Sequence, residues 1–143
     1  MEENNTQKNG EFQTGKVATL VGSHFSHDFF TAFLAPLLPK IKDLLGLTLA
    51  QTGGLTAFLQ YPALINPILG YFADRVNLKY LIIFAPAISG TAMSLMGYTN
   101  SYFALGLLLL VAGFSSAGYH SSSPAMVTVV SGKTIGRGMS LYM

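Results

Sequence analysis

One stretch of the chain, from Tyr80 to Gly132, contains no Asp, Glu, Lys or Arg. As a single helix rising 1.5 Å per residue, it would extend roughly 80 Å. The hydrocarbon core of a bilayer is only about 30 Å thick. The stretch must therefore fold back, and the polar segment at 97–102 (GYTNSY) is the expected hinge. Two membrane spans are predicted, at about 80–96 and 102–130.

Two further apolar stretches precede this one, at about 17–38 and 47–73. The charged residues make up 10% of the chain, against about 25% in soluble domains, which need charge to cover their surface. An all-α membrane protein is predicted, with four transmembrane helices and the start of a fifth after Arg137. Residues 1–16 are predicted to be a disordered cytoplasmic tail, and 17–143 an N-terminal transmembrane bundle.

The basic residues indicate the orientation, because cytoplasmic loops are enriched in Lys and Arg. A cytoplasmic N-terminus leaves only Lys40 and Lys42 outside and the other six basic residues inside. We therefore expect a multi-pass protein of the cell (plasma or inner) membrane. A net charge of +2 without a basic tract gives no indication of a nucleic-acid partner. The absence of cysteine excludes disulfides and thiolate sites.

The first predicted span contains the polar segment SHFSHDFF, in which His24, His27 and Asp28 share a helical arc of about 100°. An aspartate at bilayer depth costs about 2.5–3.5 kcal/mol. Asp28 avoids that cost by binding a proton or by pairing with a protonated His24 one turn away. A switch between these two states moves a proton, and the reference pKa of histidine, about 6.5, suits the switch. A proton-coupling site is predicted here.

The fourth predicted span carries a narrow stripe of small and polar residues around His120, which is expected to point into the space between helices. Gln60 and Tyr61, beside a proline, are predicted to face the same cavity. His27, His120, Gln60 and Tyr61 have a second interpretation, as groups that only tie helices together. A metal site of His24, Asp28 and His120 is disfavoured, because i, i+4 spacing is common by chance and no HExxH pattern accompanies it. No metal and no cofactor are expected.

The loop GYFADRVNLK at 70–79 can be read as a positive-inside loop closed by an Asp–Arg pair. It also resembles the signature loop of the major facilitator superfamily. Asn77 and Leu78 replace the usual second glycine and first basic residue, and Asn tolerates left-handed backbone. The resemblance implies a gating role for the matching Gly70, Asp74, Arg75 and Lys79.

Two longer segments resemble the fosmidomycin-resistance-like branch of that superfamily: SHFSHDFFTAFLAPLLPKIKDLLGLT and AGYHSSSPAMVTVVSGKTIGRGMSLYM. The resemblance implies twelve spans in two halves, so that this chain is an N-terminal fragment and the C-terminal half of the same transporter is its missing partner. It also implies that the first and fourth spans line a central cavity.

The expected function is proton-coupled secondary active transport: efflux of small molecules by antiport, as in antibiotic resistance, without enzymatic chemistry. The expected partners are the lipid bilayer, protons and a small-molecule solute. Two alternatives stay open. The chain is an intramembrane metal-dependent enzyme that uses His24, Asp28 and His120, or it is a non-functional or oligomeric four-helix membrane protein.

Overall fold

The computed structural model describes residues 10–73, 75 and 79–143, and all regular secondary structure within them is helical. The elements in chain order are α1 (Thr14–Ala32), α2 (Leu34–Leu45), α3 (Leu49–Gln60), a 3₁₀ turn (Tyr61–Ile65), α4 (Asn66–Ala73), α5 (Lys79–Leu95), a second 3₁₀ turn (Met96–Tyr98), α6 (Tyr102–Val130) and α7 (Ile135–Tyr142). The prediction of an all-α fold is confirmed.

Local sequence sets several helix boundaries. Gly46 ends α2 with a positive φ of 61°, which glycine adopts without steric cost. A capping box then begins α3: the backbone N–H of Gln51 donates to Thr48 Oγ1 at 3.2 Å, and the N–H of Thr48 donates to Gln51 Oε1 at 2.9 Å. Ser101 caps α6 in the same way, by accepting from the N–H of Ala104. The expected hinge at 97–102 lies between α5 and α6.

Two of the described helical segments are long and apolar enough to cross a membrane, Lys79–Tyr98 and Tyr102–Val130, with mean hydropathies of 1.5 and 1.6. The predicted span at 17–38 is divided between α1 and α2 at Phe33, and α2 continues to Leu45. The predicted span at 47–73 is divided by the first 3₁₀ turn, where Pro62 lacks a backbone N–H. Four transmembrane helices therefore remain a prediction.

Helix α6 lies at the centre of the bundle and packs against α1, α3, α4, α5 and α7. One apolar cluster, around Leu55, Leu105 and Leu109, fills the space between α6 and its neighbours near the α5–α6 hinge. A second cluster, around Val17, Tyr119 and Val127, fills the opposite end. The bundle is thus organised by contacts of α6 with helices on several sides.

The outer face of α1 is aromatic and exposed: Phe25, Phe29 and Phe33 are 71%, 51% and 43% accessible. The sequence predicts the same face as a surface for lipid or a neighbouring helix. An exposed apolar face of this kind is unusual for a monomeric soluble protein. It is the ordinary outer surface of a helix in a hydrocarbon environment.

The two ends of the bundle carry different charged residues. At one end, Lys16 and Lys79 line a common groove, and the guanidinium of Arg137 lies 4.6 Å from the ring of Phe12. At the other end, Lys40 lines a cavity together with residues of the α5–α6 hinge such as Asn100. The tertiary structure therefore gathers basic residues from distant segments at the end where the N-terminal residues lie.

Candidate proton and solute site

Asp28 lies between two histidines that come from different helices. Its Oδ2 atom is 3.1 Å from Nε2 of His24, one turn earlier on α1. Its Oδ1 atom is 3.4 Å from Nε2 of His120 on α6. Half of the Asp28 side chain is accessible, whereas the His24 side chain is mostly buried. The carboxylate thus bridges α1 and α6 through both of its oxygens.

The other ring nitrogen of His24 fixes the position of one proton. Its Nδ1 atom is 2.9 Å from the backbone carbonyl oxygen of Tyr142, at the end of α7. A carbonyl oxygen can only accept a hydrogen bond, so Nδ1 must carry hydrogen. In the neutral tautomer that follows, Nε2 is an acceptor with a lone pair directed at Asp28.

An ionised Asp28 also has only acceptor atoms. Two acceptors 3.1 Å apart repel each other, so the His24–Asp28 contact requires a proton between Nε2 and Oδ2. That proton resides on His24, which gives an ion pair, or on Asp28, which gives two neutral groups. These are the two states that the sequence predicts for the pair, and the structure adds the Tyr142 carbonyl that holds the tautomer.

Aromatic rings hold the histidines in place. The ring of Tyr142 stacks on His24 with centroids 4.2 Å apart and an angle of 8° between the planes. The ring of Tyr119 stacks on His27 at 4.7 Å, and its hydroxyl donates to the carbonyl oxygen of Leu20. His120 meets both His24 and His27 edge to face at 5.4 Å. The imidazole orientations are therefore set by packing as well as by hydrogen bonds.

His27 differs from the other two histidines. Its side chain is completely buried, and neither ring nitrogen has a hydrogen-bond partner among the described residues. It contacts the proton site through the rings of Tyr119 and His120 rather than through Asp28. Its position fits a packing role beneath the site better than direct contact with a solute.

A cavity of about 440 Å³ opens beside Asp28 and His120, between α1, the α3–α4 segment and α6. This volume lies within the range of small-molecule sites. Polar groups on three sides of it are Thr31, Gln60, Asn66 and Ser116. Gly113 and Ala117 keep the α6 side open because their side chains are small. No Lys or Arg occurs among the described residues that line this cavity.

The polar residues predicted in the second span separate in the structure. Gln60, the last residue of α3, lines the cavity beside Asp28. Tyr61, the next residue, begins the 3₁₀ turn, is 57% accessible and does not line the cavity. Consecutive side chains of a helix point about 100° apart, so Gln60 and Tyr61 face different surroundings.

The signature loop is described only in part. Gly70 lies in α4, and nothing lies within 4 Å of the position where a Cβ would stand. Asp74 lies outside the described residues. The guanidinium of Arg75 lies 3.6 Å from the ring centroid of Tyr71. Lys79 begins α5 and lines the groove that contains Lys16. The gating role of Gly70, Asp74, Arg75 and Lys79 stays a prediction.

Two residues of the candidate site are not among those that the sequence predicts. Tyr142 holds His24 through its carbonyl and its ring, and its hydroxyl contacts Ser123 Oγ. No local pattern indicates this role, because Tyr142 and His24 are 118 residues apart. Asn66 lines the cavity, and its Oδ1 is buried without a partner among the described residues. Asn66 is a polar amide within the apolar stretch 47–73, and this feature of the sequence could have indicated that it faces a cavity.

Ligand atoms of His24, Asp28 and His120 lie within 4.8 Å of one another, close enough to hold a metal ion. The contacts of 3.1 and 3.4 Å are direct donor–acceptor contacts, which a proton satisfies without an ion between the groups. The hydrogen bond of Nδ1 to the Tyr142 carbonyl leaves Nε2 as the His24 atom that faces the cluster, which suits a proton or a metal ion equally. The preference for a proton-binding group over a metal site therefore stays a prediction.

Comparison with known proteins identifies the family of the chain. The chain is 22% identical over 121 residues to the fosmidomycin resistance protein of Escherichia coli (strain K12). The match covers 84% of this chain and 30% of that protein, so the chain spans less than a third of its relative. No solved structure matches the chain. The family model of the Major Facilitator Superfamily matches residues 20–143, and the chain therefore belongs to this superfamily of membrane transporters.

Proposed function

We propose that the chain is the N-terminal part of a proton-coupled secondary transporter that exports small molecules from the cell by antiport. In this proposal the chain lies in the cell membrane with its N-terminus in the cytoplasm. His24, Asp28 and His120 bind the coupling proton, and the adjoining cavity contributes part of the solute site. The remaining spans of the transporter provide the other wall of that site.

One observation carries the proposal: Asp28 contacts His24 and His120 at the edge of a cavity, and the Tyr142 carbonyl fixes the His24 tautomer. The shared proton of the His24–Asp28 pair can be bound to Nε2 of His24 or to Oδ2 of Asp28. A short proton transfer converts one state into the other. A solute that alters the hydration or charge at this edge changes the free energy of holding that proton. Proton binding and solute binding are therefore coupled through Asp28.

The contact with α7 gives the coupling a route to conformational change. His24 is held by Tyr142, and Asp28 is held by His120, so the proton site joins α1, α6 and α7. Loss of the proton leaves two facing acceptors and favours separation of His24 from Asp28. Proton occupancy thereby biases an equilibrium between two helix arrangements. Alternating access in a proton-coupled transporter requires such a bias.

The efflux direction and the type of solute rest on similarity. The relative is named for fosmidomycin resistance, and export of a small toxic molecule is one way to produce resistance. Cavity walls that combine small, apolar and amide side chains suit a small polar or amphipathic solute. An anionic solute would depend on a protonated histidine for charge compensation, since the described lining contains no Lys or Arg.

The decisive test is Asp28→Asn in the reading frame that contains this chain, assayed in everted membrane vesicles with an imposed pH gradient. The amide of Asn can donate to Nε2 of His24 and accept from His120, so it imitates the protonated carboxyl. We expect normal amounts of protein in the membrane and a loss of at least about tenfold in pH-driven transport, since general acid–base groups commonly contribute factors of this size or more.

Asp43→Asn provides the matched control, because it makes the same chemical change at an exposed carboxylate whose neighbour is Lys42. Its transport should equal that of the parent. Transport with unchanged proton coupling in Asp28→Asn would refute the assignment of the proton to this site. Equal loss in both variants would point to a general effect of charge removal.

A further inference from the structure

A second concave surface lies away from the proton site, on the outside of the bundle. It is a groove of about 250 Å³ between the first turns of α1 and α5 and the last turn of α6. Its floor is formed by Leu20, Ile82 and Val130, which are buried, and one rim by Ile83, which is 60% accessible. An apolar groove that is open to the surface suits an acyl chain of a bilayer lipid by its chemistry.

The mouth of the groove is basic. Lys16 from α1 and Lys79 from α5 both line it, although they are 63 residues apart in the chain. Both side chains are exposed, and Lys16 takes part in none of the ion pairs found among the described residues. Among the described acidic residues, Glu11 is nearest to Lys16 in the sequence. It precedes α1 and does not line the groove.

Both lysines stand in the first turn of a helix, and neither first turn contains an acidic residue. The N-terminal end of a helix carries a partial positive charge, so it attracts an anion as a lysine does. Two such ends meet at the mouth of one apolar groove. An anion placed between them is attracted by both lysines and by both helix dipoles, while the apolar floor selects an anion that carries a hydrocarbon chain.

We propose that this groove binds one anionic phospholipid of the phosphatidylglycerol type. The phosphodiester lies between Lys16 and Lys79, and one acyl chain lies along Leu20, Ile82 and Ile83. Basic pockets between membrane helices on the cytoplasmic side bind anionic headgroups in this way. The bound lipid stabilises the contact of the first turns of α1 and α5 with the last turn of α6. This proposal concerns binding only and does not depend on whether the chain moves protons.

The test uses the 143-residue chain, purified in a nonionic detergent and freed of lipid, with lipid binding measured by native mass spectrometry. The probes are palmitoyl-oleoyl phosphatidylglycerol, the matching phosphatidylethanolamine and inorganic phosphate. Phosphatidylglycerol should bind the parent more tightly than phosphatidylethanolamine. Lys16→Gln and Lys79→Gln should each weaken its binding about fivefold, and the double variant about 25-fold, as expected for two lysines near a headgroup.

Two further variants identify which part of the lipid is recognised. Ile83→Ser alters an exposed rim residue, so the fold is kept, and it should weaken phosphatidylglycerol binding. Lys40→Gln with Lys42→Gln makes the same charge change at the other end of the bundle and should have no effect. Equal loss in this control would show general charge attraction. Displacement of phosphatidylglycerol by inorganic phosphate at equal concentration would show a free-anion site. Either result overturns the proposal, as does equal binding of the two lipids.

Discussion

At the scale of single residues, the site depends on the number of hydrogen-bond donors around Asp28. The carboxylate offers acceptors only, and its two partners, His24 and His120, each present Nε2. Nδ1 of His24 is committed to the Tyr142 carbonyl at 2.9 Å. The imidazole therefore has one nitrogen that carries hydrogen and one nitrogen, Nε2, that faces Asp28. Such a division makes His24 a proton acceptor of fixed orientation.

This division predicts the behaviour of the His24 nitrogens in ¹⁵N NMR spectra of the chain in detergent micelles. Nδ1 should carry hydrogen in every spectrum in which the contact with Tyr142 is kept, and any change of protonation should occur at Nε2. In Asp28→Asn, Nε2 should accept a hydrogen bond from the amide of the new side chain. Asp43→Asn should reproduce the parent spectrum, and a neutral tautomer protonated at Nε2 would contradict the assignment.

At the scale of elements, α6 packs closely against its neighbours because glycines lie where it meets them. A Cβ at Gly106 would stand 3.0 Å from the ring of Phe58 on α3. A Cβ at Gly113 would stand 2.9 Å from Pro62 Cγ and would also meet the backbone carbonyl of Leu59. Small residues permit this approach of helix backbones in membranes. The approach determines how far α6 lies from α3 and the first 3₁₀ turn.

Gly113→Ala is therefore expected to destabilise the bundle. The Leu59 backbone cannot rotate away as a flexible side chain would, so α3 and α6 must move apart, at a cost of about 1–3 kcal/mol. Thermal unfolding in detergent should show a lower midpoint for this variant. Gly22→Ala is the control: it lies within α1 with nothing within 4 Å of the added Cβ, and it should match or exceed the parent. Equal midpoints for Gly113→Ala and the parent would refute the close packing.

At the scale of the whole molecule, the two ends differ in their basic residues, and this difference predicts an orientation in the membrane. The end with Lys16, Lys79 and Arg137 also holds the N-terminal segment: the N–H of Gln13 donates to the Val130 carbonyl at 2.9 Å. The opposite end contributes Lys40 and the Lys42–Asp43 pair. Membrane proteins keep the more basic end in the cytoplasm, and the lipid groove would then face the inner leaflet.

Single-cysteine labelling tests this orientation directly, because the chain has no native cysteine. In intact cells, a membrane-impermeant thiol reagent should label Asp43→Cys, whose parent side chain is 79% accessible. Glu11→Cys should be labelled only after the cells are permeabilised. The reverse pattern would invert the topology and place the groove of Lys16 and Lys79 in the outer leaflet. Labelling of both variants in intact cells would exclude a cytoplasmic N-terminus.

The sequence by itself determined the helical class and one half of the candidate site. Runs without charge, such as that from Tyr80 to Gly132, must form helices in lipid, because each backbone group needs an internal hydrogen bond there. His24 and Asp28 lie one turn apart, and any helix brings such residues together. The family resemblance rested on similarly local evidence, a loop of ten residues and two helix segments. These conclusions need only the helical repeat and the chemistry of each side chain.

The tertiary structure decided which distant groups complete that half site. Contact of His120 with Asp28 depends on how closely α6 packs against α1, and contact of Tyr142 with His24 depends on where the turn after α6 directs α7. Gln60, the last residue of α3, likewise lines the cavity, whereas Tyr61, the first residue of the 3₁₀ turn, does not. These features arise from packing between helices, which the periodicity of one helix does not encode.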